Sequence, residues 1–140
     1  MAGLVGMDDV AAEYLTAPLE EIFAKAFDTQ AYDVTELSFS NYLYLTSTGD
    51  CPYVGLPVFP SRSFRHAAIF IRTDRGIRGP RDLAGRTVGV REFSMTAALV
   101  ARGVLADDFG LQAADIQWRY GPADAGDSQP IVRMNPRGID

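Results

Sequence analysis

The chain has very little of several residue types that often signal chemistry. Its 140 residues include one cysteine, one histidine and one lysine. The single cysteine, Cys51, excludes an internal disulfide and any metal site built from several cysteines. Its local sequence supplies no base that would activate it as a nucleophile, so we interpret it as a packed or loop cysteine. HExxH, Walker A and GxGxxG motifs are also missing. We therefore predict neither a metal site nor a cofactor.

Long apolar runs are missing as well. No run approaches the roughly 20 apolar residues that cross a bilayer, so we predict no membrane span. Residues 1–9 show no basic stretch followed by an apolar core, which is the pattern of a signal peptide. A cytoplasmic location is the default expectation.

The net charge of −5 is unevenly distributed. Residues 1–50 contain nine acidic side chains and one basic one, whereas residues 61–91 contain eight arginines and two aspartates. A basic block can indicate nucleic-acid binding. Here the arginines are spread over predicted strands and turns with few aromatic residues between them, so we predict a solvated surface and no nucleic-acid partner.

What remains is typical of a soluble globular protein, with 47% hydrophobic and 22% charged residues. The length fits one domain or parts of two smaller lobes. Predicted strands alternate with helices, which indicates an α/β protein with a largely parallel sheet. We predict strands over 9–15, 31–37, 64–72, 87–90 and 116–120, an extended segment over 53–59, helices over 16–27, 38–45 and 94–109, a helical turn over 80–85 and an edge strand over 131–134.

The first candidate site lies in residues 58–66, which run into the apolar stretch 67–71. It combines His66 with Arg62 and Arg65. Histidine titrates near neutral pH, and arginine binds carboxylates through two hydrogen bonds. The alternatives are a buried neutral histidine and two arginines on the surface.

The second candidate site is formed by two predicted helix starts, at 36–41 and 91–96, each following a predicted strand. Helix N-termini at the carboxyl ends of parallel strands present free N–H groups to anions. Together, the two sites suggest a cleft for a small anion. The alternative is that Ser38, Ser40 and Ser94 only cap their helices.

Three of these segments resemble the 4,5-dihydroxyphthalate decarboxylase family in order and spacing: residues 32–42, 57–66 and 88–97. The resemblance implies a type 2 periplasmic-binding-protein-like fold with two lobes around a cleft. It places most of lobe one in residues 1–72, a hinge in 73–79 and the start of lobe two in 80–140. It also implies that the chain lacks segments that family members have before Met1 and after Asp140.

The implied reaction converts 4,5-dihydroxyphthalate to protocatechuate and CO₂ by protonation of the ipso carbon, without a cofactor. On this resemblance His66 is the general acid, and Arg62 and Arg65 are carboxylate clamps, Arg62 acting in catalysis. The implied partner is a small aromatic dicarboxylate, and a homo-oligomer is possible. The remaining substrate-binding candidates are Ser38, Ser40, Asn41, Arg91, Ser94, Met95 and Thr96.

Two other functions fit the same residues. A non-catalytic solute-binding protein of an ABC transporter would bind a small organic anion with the same fold and the same helix N-termini. A fragment without any ligand is the third interpretation, because a cleft needs both of its walls.

Overall fold

The computed structural model describes residues 11–121. Within this range the chain forms three α-helices and a parallel pair of short strands, joined by 3₁₀ turns. The helices are α1 (Leu19–Thr29), α2 (Phe39–Thr48) and α3 (Thr96–Phe109), and the strands are β1 (Thr87–Val90) and β2 (Gln117–Tyr120). The α/β composition and the parallel pairing predicted from the sequence are thus confirmed for these residues.

Helices α2 and α3 end at a glycine that adopts a left-handed backbone. Gly49 follows α2 with φ of 83°, and Gly110 follows α3 with φ of 69°. Glycine has no Cβ, so this conformation is easily adopted. Helix α1 instead ends at Gln30, with φ of 53°. It begins after Pro18, and Glu20 and Glu21 lie in its first turn, where the helix dipole favours negative charge.

Strands β1 and β2 pair in parallel, with Val88 opposite Trp118. The connection between parallel strands must cross from one end of the pair to the other, and α3 makes this crossing. The pairing continues past the strand ends, because the Gln117 N–H donates to the Arg86 carbonyl and the Gly121 N–H to the Val90 carbonyl, at 2.9 and 3.2 Å. The carboxyl end of β1 therefore leads directly into the loop before α3.

The hydrophobic core lies between this strand pair and α3. The Trp118 ring meets the Phe93 ring edge-on at 5.9 Å between centroids, and its Nε1 donates to the Ala113 carbonyl at 2.8 Å. The guanidinium of Arg102 lies over the Phe93 ring, 3.7 Å from its centroid. The buried members of this core are Leu83, Leu105, Leu111, Ile116 and Trp118.

Three predicted strands are wrong over the residues described. Residues 11–15 and 31–37 contain no strand, and Val34, the main apolar residue of the second segment, is 81% exposed. Residues 64–72, predicted to be the strongest strand, form a 3₁₀ turn at Arg65–Ala68 followed by irregular chain. Backbone polar groups of a strand need a neighbouring strand, and within residues 11–121 only β1 and β2 pair.

Other predictions hold with shifted ends. The helices predicted over 16–27 and 38–45 begin one to three residues later and extend further, and the turn predicted over 80–85 is a 3₁₀ turn at Pro80–Leu83. The segment 53–59, predicted to be extended, forms neither a helix nor a strand. The predicted edge strand over 131–134, like residues 9 and 10 of the first predicted strand, lies outside the described residues.

Candidate functional site

The N-termini of α2 and α3 meet, although 58 residues separate them in sequence. The Oγ of Ser38 lies 3.2 Å from the Oγ1 of Thr96, and the backbone N–H of Ser40 donates to the same Thr96 oxygen at 3.2 Å. The Ser40 hydroxyl also donates to the Ser94 carbonyl. We call Ser38, Ser40, Ser94 and Thr96 the hydroxyl cluster. It joins the two helix starts that the sequence predicted as anion sites.

The alternative role of these serines as helix caps is not what the structure shows. Ser38 is the N-cap residue of α2, but its side chain makes no capping hydrogen bond to its own helix. The N-cap residue of α3 is Met95, which cannot cap through its side chain. Thr96 instead accepts from the second N–H of α2, so one helix supplies the cap of the other. The hydroxyls therefore hold the two helices together.

A buried carboxylate stands beside the hydroxyl cluster. Glu92 is 8% exposed, and its Oε1 accepts hydrogen bonds from the Ser94 hydroxyl and from Nδ2 of Asn41, the latter at 3.2 Å. Asn41 itself is fully buried. Its Oδ1 has no hydrogen-bond partner among the residues that the structure describes. This corner of the site therefore already contains a negative group and a carbonyl acceptor.

An ion pair flanks the same loop. The Nη1 of Arg91 lies 2.6 Å from the Oε1 of Glu20 in the first turn of α1. The arginine side chain is 30% exposed and the glutamate side chain 43% exposed, so water screens the attraction in part. Arg91 thus fastens α1 to the loop that follows β1. Met95, the other candidate in this loop, is half-buried.

His66 lies elsewhere, at the other end of α3. Nε2 of His66 is 3.0 Å from Oδ2 of Asp108, near the C-terminal end of α3, and the His66 side chain is 58% exposed. Twelve residues separate Asp108 from Thr96 along this helix, which corresponds to about 18 Å at the rise of an α-helix. In this arrangement a ligand the size of a phthalate at the hydroxyl cluster does not reach His66. Arg62 is exposed and Arg65 half-buried.

The structure thus brings together five of the predicted site residues and places His66 away from them. Ser38, Ser40, Asn41, Ser94 and Thr96 meet at the N-termini of α2 and α3. Glu92 and Asp108 are the partners that the sequence analysis missed. Glu92 lies inside the predicted segment 91–96, between Arg91 and the hydroxyls. It was not predicted as a site residue because a negative side chain is not expected to bind an anion.

Among residues 11–121 no group of three or more histidine, cysteine, aspartate or glutamate side chains is placed to hold a metal ion. None of the helices in this range has the length and apolar character needed to cross a membrane.

The chain is 43% identical over 138 residues to a protein named 4,5-dihydroxyphthalate decarboxylase from Comamonas testosteroni, and 43% identical over 138 residues to one of the same name from Pseudomonas putida. Each match covers 98% of this chain. The resemblance to the 4,5-dihydroxyphthalate decarboxylase family is confirmed. The chain spans 42% of the Comamonas relative and 54% of the Pseudomonas relative. No protein-family model matches the chain.

Proposed function

We propose that this chain is part of a carboxy-lyase that converts 4,5-dihydroxyphthalate to protocatechuate and CO₂. The observation that carries the proposal is the identity of 43% along 98% of the chain with two proteins named for this activity. The matched region covers 98% of the chain, so it includes the segments 36–41 and 91–96 that form the hydroxyl cluster. A solute-binding function has no such support.

The polar groups of the substrate bind at the N-termini of α2 and α3. Both helices are long enough to present a positive dipole end, and hydroxyls and backbone N–H groups gather there. The hydroxyls now satisfy one another across the contact between the two helices. A ligand must replace these bonds with its own, so the contact opens when the ligand enters.

The proposed fold is a two-lobed, periplasmic-binding-protein-like one with the ligand between the lobes. Three side-chain contacts support this arrangement because each joins residues 1–72 to residues 80–140. These contacts are the bond of Asn41 to Glu92, the ion pair of Glu20 with Arg91, and that of His66 with Asp108. Side chains from both predicted lobes therefore meet at two places, one at the loop before α3 and the other near the C-terminal end of α3.

The reaction needs one proton and no electron acceptor. A proton bonds to the ring carbon that bears the departing carboxylate, pushed by electrons from the para hydroxyl. The bond from ring to carboxylate then breaks, its electron pair restores the aromatic ring, and CO₂ leaves. His66 is the proposed acid because histidine is the side chain that most often transfers a proton in catalysis near neutral pH. For this role the segment around His66 must approach the ligand more closely than its contact with Asp108 allows.

The experiment is decarboxylation of 4,5-dihydroxyphthalate by the longest natural chain that contains this sequence, with protocatechuate followed by absorbance. We expect turnover, and a loss of about 10²–10⁴-fold in the His66→Gln variant if proton transfer from His66 is removed. Full activity in that variant would refute the acid while leaving the lyase intact. Saturable binding of the diacid without any turnover would replace the lyase with a solute-binding protein.

A further inference from the structure

The corner formed by Asn41 and Glu92 has a polarity opposite to that of an anion site. Glu92 places a carboxylate there, buried to all but 8% of its surface, and it is already bonded to Ser94 and Asn41. A second carboxylate, from a ligand, would meet this negative charge at short range in a poorly hydrated place. Like charges at such separations oppose each other strongly. A ligand carboxylate is therefore disfavoured at this corner.

Glu92 also fixes the orientation of the Asn41 amide. An ionised carboxylate only accepts hydrogen bonds, so the NH₂ group of the amide must face it and the carbonyl oxygen must point away. That oxygen, Oδ1, is buried and has no partner in the described part of the chain. A buried acceptor without a donor is unfavourable. A ligand group that binds to this oxygen must therefore be a hydrogen-bond donor.

We propose that Asn41 is a specificity-determining residue that accepts a hydrogen bond from a ring hydroxyl of the substrate, and that Glu92 is the positioning residue that holds its amide in this orientation. This proposal rests on the proposed function, which supplies the class of ligand: a hydroxylated aromatic acid. The ligand carboxylates then bind to other donors, and the hydroxyl reaches Asn41 when the contact between α2 and the loop before α3 opens.

The test measures the binding of two ligands that differ only in their ring hydroxyls: 3,4-dihydroxybenzoate, which is protocatechuate, and benzoate. The first is the product of the proposed lyase, and neither is its substrate. Calorimetric titration of the longest natural chain containing this sequence gives the ratio of their dissociation constants. We expect the dihydroxy acid to bind about 5- to 150-fold more tightly, which corresponds to satisfying one buried acceptor. Equal affinities, or no binding of the dihydroxy acid, would overturn the proposal.

Two variants test the residues themselves. Asn41→Leu removes the acceptor and should bring the ratio close to one. Glu92→Gln keeps the size of the side chain, but its own NH₂ group can donate to Oδ1 of Asn41 and satisfy it internally. The ratio should therefore fall several-fold in this variant too, in a protein that keeps its fold. Ser47→Ala is the matched control, because Ser47 lies at the exposed far end of α2 and bonds only to its own helix.

The outcomes separate this proposal from the proposed function. An unchanged ratio in a folded Asn41→Leu variant, or in Glu92→Gln when the leucine variant does not fold, refutes the role of Asn41 even if decarboxylation is intact. A ratio that falls in both variants supports it even if no turnover is found. A purely structural role for the pair would weaken both ligands equally and leave the ratio unchanged, which also counts against the proposal.

Discussion

Thr96 is the residue on which the junction of α2 and α3 depends most directly. Its Oγ1 accepts from the Ser40 N–H at 3.2 Å and lies 3.2 and 3.4 Å from the hydroxyls of Ser38 and Ser40. Thr96→Val replaces this oxygen with a methyl group of nearly the same size. The N–H of Ser40 would then lose its acceptor in a part-buried place.

The size of the expected effect follows from the cost of leaving the Ser40 N–H without an acceptor. Leaving a buried donor without a partner costs about 1–3 kcal/mol, and the loss of a helix cap costs about 1 kcal/mol. We expect the variant to lose about 1–3 kcal/mol in the opening free energy at the N-terminus of α2. This corresponds to exchange of the Ser40 amide hydrogen that is about 5- to 150-fold faster, since local opening governs exchange.

The assay is hydrogen–deuterium exchange of the amides of α2, with Thr48→Val as the matched control. The Thr48 hydroxyl donates to the Leu45 carbonyl within the same helix and is exposed, so its loss should change exchange at Ser40 very little. Equal protection of Ser40 in both variants would show that Thr96 does not cap α2. The reasoning about a cap supplied by the neighbouring helix would then be wrong.

Two further predictions concern stability. Leu105 is 3% exposed in the core, so Leu105→Ala should lower the free energy of unfolding by about 2–5 kcal/mol, measured by urea denaturation. Leu99→Ala, on the same helix but 45% exposed, should lower it far less. Equal losses in the two variants would contradict the placement of the core. The pKa of the Asp82 carboxyl is held below its ordinary value because the N–H groups of Arg78 and Gly79 donate to it, at 2.8 and 3.1 Å. A pKa lowered by folding adds stability above the unfolded value, near pH 4, and that stability is lost as pH falls through the folded value. Asp82→Asn should therefore flatten the decline of stability in acid, measured as the melting temperature against pH; a decline as steep as that of the unchanged protein would refute this.

Helices were the part of the fold that the sequence could predict. Their ends are local events: Pro18 starts α1, and glycines stop α2 and α3. The short strands β1 and β2 were also predicted, because β1 carries two valines and β2 alternates polar with aromatic residues. The strand predicted over 64–72 was wrong because strand formation is not a local event. Its apolar residues favour a strand, but a strand forms only against a partner, and no local pattern shows whether the partner exists.

The candidate site was predictable in part for a similar reason. Both hydroxyl-rich helix starts were visible in the sequence, and the parallel arrangement indicated that they could face one ligand. That Thr96 would bond to Ser38 and Ser40 depends on how α2 packs, which the sequence does not state. The pairing of His66 with Asp108, and the bond of Asn41 to Glu92, likewise depend on contacts between residues more than 40 positions apart.

The five buried residues of the core cluster all lie within positions 83–118. The segment that contains them, with β1, α3 and β2, closes its hydrophobic interior through contacts up to about 35 positions apart, whereas α2 reaches it through contacts 51 to 58 positions apart. The shorter loops lose less chain entropy on closing, so these contacts are expected to form first. This segment is therefore suited to act as a folding nucleus, onto which the chain made before it, including α2 and its half of the hydroxyl cluster, docks afterwards. Substitutions in the core would then slow folding, whereas substitutions in the hydroxyl cluster would mainly speed unfolding.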